Sequence, residues 1–510
     1  MSHGTLPRIV LLVAALATSL APSRVEASPL FELVGSTFGS GGFNGRSYGP
    51  SSASTYFNPA FLPRAKAGLE VGFFLLNDAI SITLDGRSHA NDVPISAVDR
   101  FGTDNPSVPT DWLNHGCSPE TGSCATNLAP HPRQSEGSSG NIKLYQTIGL
   151  VSHIWPKYLS LGLYAMVPYG PFTQAHSYFV DEREQFYTNS LHPEFYGDRL
   201  TPVSLAFGAG SQVLDWMSVG LSFTLSLSNT ADATAYVGNS AKIDETLQLS
   251  TKVDVSASVS PHLAVLLEPI EPLDISLTLH SPQKMVIDTA FSTYLPNGDL
   301  QRAERPATHA WLPWIFGVGA AVDLFQNGRN LLAATGTLTF ERWSQYLNRQ
   351  TERPLKNYEF SDIVTGALGV RYTRDEVLTA FFDTNYRPSP VPLQTGRTNY
   401  VDNDRVGFNV GTNYDFRFEP RKVVVRVGGA FQAHFLLERH QSKFDPTSPR
   451  FAGKKYSQLV ADEWPDNTVD ISTGQIIQEA QGLQTNNPGW PGFSSKGTIV
   501  GGTVSVSLLY

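Results

Sequence analysis

Alternation of apolar and small polar residues over stretches of about ten residues is the feature that most limits how this chain folds. Residues 219–228 show it most regularly, with Gly, Ser or Thr between successive apolar positions: Val219, Leu221, Phe223, Leu225 and Leu227. Residues 250–260, 406–418, 425–437 and 500–510 repeat the pattern. Because side chains of a strand point alternately to its two faces, each stretch is predicted to be a strand with one apolar face.

These predicted strands are long enough to cross a membrane. A tilted transmembrane strand needs ~9–11 residues, whereas a strand of a soluble protein has about 5–6. After residue 27 the chain has no apolar run of the ~18 residues that a transmembrane helix requires. The pattern therefore favours a membrane-spanning sheet over a helical bundle.

The connections between the strands alternate between tight turns and long polar loops. Tight turns are predicted near residues 156–157, 215–216, 268–272, 325–329, 374–375 and 419–420, and long loops over 86–140, 171–198 and 443–495. Aromatic residues gather beside the tight turns, as in an interfacial girdle: Trp155, Tyr158, Trp216, Phe325, Tyr372, Phe418 and Tyr510. Short turns on one side and long loops on the other are typical of outer-membrane barrels.

The number of strands follows from these connections. If both ends of the barrel lie on the periplasmic side, about fourteen antiparallel strands are required, and an even number leaves no unpaired edge in lipid. The predicted centres are near residues 75, 147, 163, 207, 223, 256, 280, 316, 337, 367, 381, 411, 431 and 504. The fold class is therefore all-β, a transmembrane antiparallel β-barrel.

Residues 1–27 have the features of a signal peptide. A weakly cationic start precedes the apolar residues 9–20, and Val25-Glu26-Ala27 resembles a cleavage site. The apolar stretch is too short to span a bilayer of ~30 Å as a helix. We expect the mature chain to begin near Ser28, the alternative being an uncleaved anchor.

Composition excludes several classes of protein. Charged residues make up 16% of the chain, against about 25% in an average globular protein, and the net charge of −9 argues against a nucleic-acid partner. The Gly208-Ala209-Gly210 and Gly317-Val318-Gly319 motifs lack the third glycine of a dinucleotide-binding loop. We therefore expect no enzymatic activity, no cofactor and no metal.

The chain contains two cysteines, Cys117 and Cys124, in a polar stretch rich in Pro and Gly. An exported chain meets an oxidising compartment, so we expect a disulfide that pins this loop. A zinc site is disfavoured, because His115 and His131 alone do not complete one.

A Gly-rich leader and several scattered motifs resemble one family. Residues 28–64 are rich in Gly, Ser and Asn and lead to Asn58-Pro59-Ala60 just before the first strand. Residues 272–281, 340–346, 386–392, 395–397, 402–405 and 411–416 add further matches in the right order. Together they resemble the long-chain fatty acid and hydrocarbon outer-membrane transporters of the FadL and TodX type. The long first loop with its cysteine pair departs from that pattern.

The resemblance implies a fourteen-stranded barrel, residues 67–510, whose lumen is plugged by an N-terminal hatch, residues 28–66. Asn58, Pro59 and Ala60 are then the residues of the hatch and its gating. Long-chain fatty acids or other hydrophobic small molecules would enter passively, occupy an apolar pocket and leave through a lateral gap in the wall. Outer-membrane lipid, lipopolysaccharide and the barrel-assembly machinery are the further partners that this location implies.

A fatty acid carboxylate requires a cation in the lumen. The alternation places four cations on inward faces, Lys143, Lys252, Arg371 and Arg426, and we predict that they contribute to substrate binding. The simpler interpretation is that they are solvated or paired lumen residues, with Asp254 or Asp415 as partners.

Two other functions remain open. One is a non-specific porin for small polar solutes. The other is an adhesin or structural barrel that binds through its loops, in which the acidic, Trp-containing residues 462–466 and the final loop through Trp490 would take part.

Overall fold

The computed structural model describes residues 29–85, 135–138, 142–170, 191–193, 195–200, 203–237, 247–294, 300–347, 351, 353–354, 359–393, 400–418, 423–442, 468–469, 476–478 and 492–510. The predicted signal peptide, Cys117 and Cys124, and the acidic residues 462–466 lie outside the described residues.

The N-terminal segment, residues 29–66, contains three short helical elements. They are helix α1 (Leu30–Val34), helix α2 (Ser54–Phe57) and a 3-10 turn (Pro59–Arg64). Most of its side chains are buried, and α2 and the 3-10 turn pack against β4, β6 and β7, whose ranges follow.

Strands make up most of the remaining described chain. In chain order they are β1 (Gly68–Leu84), β2 (Ser135–Ser138), β3 (Ile142–Trp155), β4 (Leu159–Pro168), β5 (His192–Pro193), β6 (Ser204–Leu214), β7 (Met217–Val237), β8 (Leu247–Ile270), β9 (Leu273–His280), β10 (Gln283–Tyr294), β11 (Leu300–Leu312), β12 (Ile315–Asn327), β13 (Asn330–Glu341), β14 (Ile363–Arg374), β15 (Leu378–Arg387), β16 (Tyr400–Val401), β17 (Arg405–Phe418), β18 (Val423–Ser442), β19 (Thr468–Val469), β20 (Ile476–Gln478) and β21 (Gly492–Leu509). Two further 3-10 turns cover Gly197–Leu200 and Trp343–Gln345.

Fourteen of these strands form one closed antiparallel barrel. Around the barrel the order is β1, β3, β4, β6, β7, β8, β9, β12, β13, β14, β15, β17, β18 and β21. The ring closes where β1 pairs with β21 over its full length, from Gly68 opposite Leu509 to Leu84 opposite Phe493. Each predicted strand centre falls within a different one of the fourteen, so the sequence prediction of the barrel is confirmed.

The two faces of the wall differ as the alternation predicts. In β7, Ser222 and Thr224 are buried on the inner face, whereas the intervening Leu221 and Phe223 face outward, where Phe223 stacks on Phe207 of β6. The aromatic side chains predicted beside the tight turns are all exposed: Trp155, Tyr158, Trp216, Phe325, Tyr372, Phe418 and Tyr510. We call this end of the barrel the turn end and the opposite end the loop end.

A hairpin at the loop end was absent from the sequence prediction. β10 and β11 pair with each other, and β10 also runs parallel to the distal part of β7, from Ile287 opposite Asn229 to Tyr294 opposite Tyr236. The hairpin is inserted between the barrel strands β9 and β12. Within the motif at residues 340–346, β13 ends at Glu341 and Trp343–Gln345 form a 3-10 turn.

Helices contribute no membrane span in the described ranges, since none is both long and apolar enough to cross a bilayer.

Because Phe223 faces outward, the loss of stability caused by an arginine on this face should depend strongly on its depth in the membrane. Replacing Phe223 with Arg should lower the free energy of unfolding by ~2–4 kcal/mol. This outward-facing residue is the sixth after Met217, where β7 starts at the turn end, and is therefore expected near the middle of the ~9–11 residues that cross the hydrocarbon. The matched control is Phe325→Arg at the exposed turn end, where we expect a cost of at most ~1 kcal/mol. Reversible denaturant unfolding in phospholipid vesicles measures both, and equal losses would contradict the assigned position of Phe223 in the wall.

Candidate functional site

The Asn58-Pro59-Ala60 motif lies directly against the inner face of the barrel wall. Gly210 of β6 and Gly220 of β7 are paired across the two strands. A Cβ atom on Gly210 would collide with the carbonyl oxygen of Pro59, and one on Gly220 with the backbone between Pro59 and Ala60. Only glycine at both positions lets the backbone of the motif approach the strands this closely.

The amide of Asn58 organises the backbone around it. Its Nδ2 donates to the carbonyl oxygen of Arg46 at 2.7 Å, and its Oδ1 accepts from the backbone N–H of Ala60 at 3.1 Å. Asn58 is extended, with φ −159° and ψ 88°, as expected for a residue that precedes proline. The fully buried side chain thus joins two parts of the N-terminal segment.

A buried ion pair of the wall binds residues 41–44 of the N-terminal segment. Arg371 of β14 and Asp383 of β15 are 1% and 0% exposed, and Nη1 lies 2.7 Å from Oδ1. The Asp383 carboxylate also accepts from the backbone N–H of Phe43 at 3.0 Å and from Nδ2 of Asn44 at 2.8 Å. Arg371 Nη2 donates to the carbonyl oxygen of Gly41 at 2.8 Å. We call this set the Asp383 latch.

Two more carboxylates tie the segment together. Glu70 of β1 accepts from the backbone N–H of Ser52 at 2.8 Å and from the hydroxyl of Ser507 at 3.2 Å. Glu32 in α1 accepts from Arg46 Nη2 and from the Tyr56 hydroxyl, each at 2.6 Å. Burial raises the pKa of a carboxyl group, but the Arg46 charge and these hydrogen bonds outweigh burial and hold the pKa of Glu32 below its ordinary value.

Buried aromatic rings gather at the loop end in what we call the aromatic cluster: Phe195, Trp311, Trp343, Tyr346, Phe360 and Tyr400. Tyr346 stacks on Phe360 with 3.9 Å between the ring centroids, and Trp343 meets Phe195 edge to face at 4.6 Å. These residues come from separate connections and from β11 and β16, so the cluster exists only in the folded barrel.

Beneath the aromatic cluster lies a pocket that we call the upper pocket. Pro29, Glu32 and Leu33 of the N-terminal segment form one side, and Phe195, Trp343, Arg387 and Arg405 form much of the other. Arg387 lies over the rings of Phe195 and Trp343, with its guanidinium carbon 5.3 and 5.5 Å from their centroids. The lining combines apolar and aromatic surface with two arginines and two carboxylates, Glu32 and Glu341, and this mixture of apolar and polar groups is expected of a site for amphiphiles.

The two arginines of the upper pocket differ in their partners. Arg387 Nη2 lies 3.3 Å from Glu341 Oε2, which also accepts from Trp343 Nε1 at 2.7 Å. Arg405 is 6% exposed, and its Nε has no hydrogen-bond partner among the described residues. A buried donor without a partner favours an incoming acceptor, and for a guanidinium group a carboxylate is the best match.

The upper pocket is closed in this structure. Its cavity measures about 20 Å³, which is room for roughly one water molecule. Pockets that hold organic ligands typically measure ~300–1,000 Å³. A hydrophobic ligand can therefore bind only if lining residues are displaced. Two of them, Glu32 and Leu33, belong to α1, a short helix near the start of the described chain.

The structure separates the four cations that the sequence predicted to bind substrate. Lys143 Nζ bonds the Asp78 carboxylate at 3.2 Å and the Gly197 carbonyl oxygen at 2.8 Å. Arg426 Nε pairs with Asp415 at 2.6 Å, as foreseen for Asp415, and Lys66 Nζ joins that carboxylate at 3.3 Å. Arg371 belongs to the Asp383 latch.

Lys252 lies in the long distal part of β8 and is exposed. The four side chains do not converge on one site, and their role in ligand binding stays a prediction.

Sequence reasoning missed Arg387 and Arg405 as site residues, although both lie in motifs that carried the family resemblance. The motifs at residues 340–346, 386–392 and 402–405 each contribute to the upper pocket. The three motifs could have indicated the pocket only if they were known to meet in space. They meet because β13, β14, β15 and β17 are paired in this order.

Fold and site together define a closed antiparallel β-barrel whose inner face is packed against the N-terminal segment of its own chain. No family model matches the chain, and no curated protein matches it.

Among solved structures, a FadL homologue of Pseudomonas aeruginosa aligns with 13% identity over 96% of this chain and 99% of the other, with a TM-score of 0.49. The P. putida toluene transporter TodX aligns with 11% identity over 96% and 99%, with a TM-score of 0.45. The Ralstonia pickettii toluene transporter TbuX aligns with 12% identity over 96% of this chain and 100% of the other, with a TM-score of 0.42. These proteins are of the type that the sequence motifs resemble.

The Asp383 latch predicts a large stability effect. Asp383→Ala should lower the free energy of unfolding by about 3–5 kcal/mol, because it leaves the Arg371 charge buried without a partner. Replacing both partners by apolar residues, Arg371→Met with Asp383→Leu, should restore only part of this loss, because it removes the unpaired charge but leaves the Phe43 N–H, the Asn44 amide and the Gly41 carbonyl without these partners. The control is Asp375→Ala, whose ion pairs with Arg329 and Arg374 are exposed and contribute at most ~1 kcal/mol. If denaturant unfolding shows equal losses for Asp383→Ala and Asp375→Ala, the latch has no energetic role.

Proposed function

We propose that the protein is an outer-membrane channel that carries hydrophobic molecules with an acidic head, long-chain fatty acids above all, passively into the cell. The observation that carries the proposal is the upper pocket, in which the guanidinium of Arg405 is buried beside aromatic and apolar side chains and its Nε has no partner among the described residues. The carboxylates that line the pocket, Glu32 and Glu341, bond other groups, namely Arg46, Tyr56, Arg387 and Trp343. An ionised carboxylate would bond this guanidinium while the acyl chain replaces the apolar contacts made by α1.

The outer surface of the barrel supports the membrane location. Large apolar side chains of the wall are exposed to the surroundings, among them Phe73, Leu277, Phe316 and Phe431. Such a surface is stable only against lipid. With the aromatic turn end on the periplasmic side, the long loops and the upper pocket face the lipopolysaccharide layer, from which cargo arrives.

The N-terminal segment is suited to the role of the hatch, residues 28–66. The Asp383 latch and Glu70 fix residues 41–52 to the wall, and Arg64 bonds Asp274 at the turn end at 2.7 Å. The Glu32 carboxylate of α1 instead bonds Arg46 and Tyr56, which belong to the same segment, and α1 contacts the wall through the Phe31 ring, which stacks on Tyr164 of β4. On this proposal α1 moves to admit cargo while the latched residues keep the lumen closed to ions.

Binding energy for an acyl chain comes from the removal of its methylene groups from water, at about 0.8 kcal/mol for each. Transport then follows the concentration gradient. For the exit, the resemblance implies a lateral passage through the wall, which we keep as part of the proposal.

Replacing Arg405 tests the proposed function. In a strain without its own fatty acid channel, the wild-type protein should support uptake of oleate, and Arg405→Met should lower uptake at low oleate concentration about tenfold, because a charge-assisted hydrogen bond is lost. Uptake of toluene, which has no carboxylate, should change little. The control is Arg417→Met, since Arg417 is partly exposed at the turn end and bonds Glu376.

Other outcomes would replace the proposal. Large steady ion conductance of the wild-type protein in a planar bilayer would identify a porin. Absence of uptake and of conductance would leave a structural or adhesive barrel. Equal loss of oleate and toluene uptake in Arg405→Met would show that Arg405 does not bind the carboxylate.

A further inference from the structure

A second internal cavity lies nearer the middle of the barrel, and we call it the lower cavity. It separates residues 34–37 of the N-terminal segment from β17, β18 and β21, with Phe74 of β1 at its edge. Its volume is about 10 Å³, which is close to the smallest space that holds one hydroxyl group or water molecule. None of the residues that line it lines the upper pocket.

Three polar side chains of the wall meet at the lower cavity. Asn409 of β17 is paired with Gln432 of β18, and Thr503 of β21 is paired with Ala430 two residues away on β18. These polar side chains are 3%, 3% and 8% exposed. Asn409 Oδ1, Gln432 Nε2 and Thr503 Oγ1 have no hydrogen-bond partner among the described residues.

The other polar groups at the cavity are engaged elsewhere. The Ser36 hydroxyl donates to the carbonyl oxygen of Phe38 at 2.7 Å, and the Thr37 hydroxyl bonds the Tyr164 hydroxyl at 2.9 Å. The three wall atoms therefore define what the cavity attracts. Buried polar atoms without partners are rare in folded proteins, because each unmade bond is unfavourable.

The chemistry of these atoms selects a neutral ligand. An amide oxygen accepts, an amide N–H donates and a threonine hydroxyl does either. Among the described residues no charged side chain lines the cavity, so an ionised carboxylate would lose its hydration without gaining a counter-ion. A hydroxyl group both donates and accepts, and it matches the set in either orientation of the two amides. Val34, Phe74 and Ala430 supply apolar surface beside it.

We propose that the lower cavity is a binding site for the hydroxyl group of a small neutral hydrophobic molecule, a phenol or an alcohol. The present volume admits the hydroxyl alone, so the ring or chain displaces Val34. Val34 is the last residue of α1, the helix whose displacement the upper pocket also requires. This proposal goes beyond the proposed function, since it concerns a different site and a different head group.

Binding of two fluorinated probes tests the site. Fluorine NMR of para-fluorophenol and fluorobenzene is recorded with the full-length protein in lipid nanodiscs, and protein-free nanodiscs correct for partition into lipid. The wild-type protein should bind para-fluorophenol about fivefold more tightly than fluorobenzene, the effect of about one net hydrogen bond. Thr503→Val keeps the side-chain shape and should lower this preference, because one of the three polar atoms is lost, while leaving the binding of fluorobenzene unchanged.

The matched control is Thr335→Val. Thr335 of β13 is also buried, and its hydroxyl also has no partner among the described residues, but it does not line the lower cavity. Equal binding of the two probes to the wild-type protein, or equal effects of both threonine variants, would overturn the proposal. Binding of neither probe would mean that the cavity holds water only. A protein that prefers para-fluorophenol but fails to take up oleate would leave this site intact and overturn the proposed function alone.

Discussion

The closure of the backbone ladder between β1 and β21 is the constraint on which the rest of the structure depends. In lipid an open sheet edge finds no hydrogen-bond partner, so the strands must return to the first one. Closure gives the wall an outer and an inner face. The outer face takes apolar side chains such as Phe223 and Val504, and the inner face takes polar ones such as Thr224 and Thr503.

An inner face of polar groups creates a second requirement, because buried polar atoms need partners. The N-terminal segment supplies many of them. Asn44 and the backbone of Phe43 bond Asp383, and the backbone of Ser52 bonds Glu70. Where the segment leaves wall atoms without partners, at Arg405 and at Asn409, Gln432 and Thr503, we place the two proposed binding sites.

The barrel was predictable from sequence because its alternation is local. In β7 and β21 each apolar residue and its polar neighbour show which face of the strand points to lipid and which to the lumen. The tight turns separate one strand from the next. Asn58-Pro59-Ala60 was likewise singled out from the sequence as the end of the Gly-rich segment just before the first strand. The β10–β11 hairpin was not, because its pairing with β7 is non-local and its residues, including Pro306, lack the alternation.

The upper pocket escaped prediction for a related reason. Phe195, Trp343, Arg387 and Arg405 come from different connections and strands, and only the pairing of the barrel brings them together. The alternation of apolar and polar residues correctly placed Arg371 and Arg426 on the inner face. Asp415 was also foreseen as a partner, and it pairs with Arg426, but the alternation does not reveal that Asp383 on the neighbouring strand already pairs with Arg371.

Deletion of residues 28–56 measures the central claim most directly, namely that the N-terminal segment both closes the barrel and completes its binding pocket. The deletion keeps Asn58-Pro59-Ala60 against Gly210 and Gly220 but removes α1 and the residues held by the Asp383 latch. In a planar bilayer the variant should conduct ions steadily where the wild-type protein does not, and it should lose selective oleate uptake in cells. Unchanged conductance together with unchanged uptake would contradict the account.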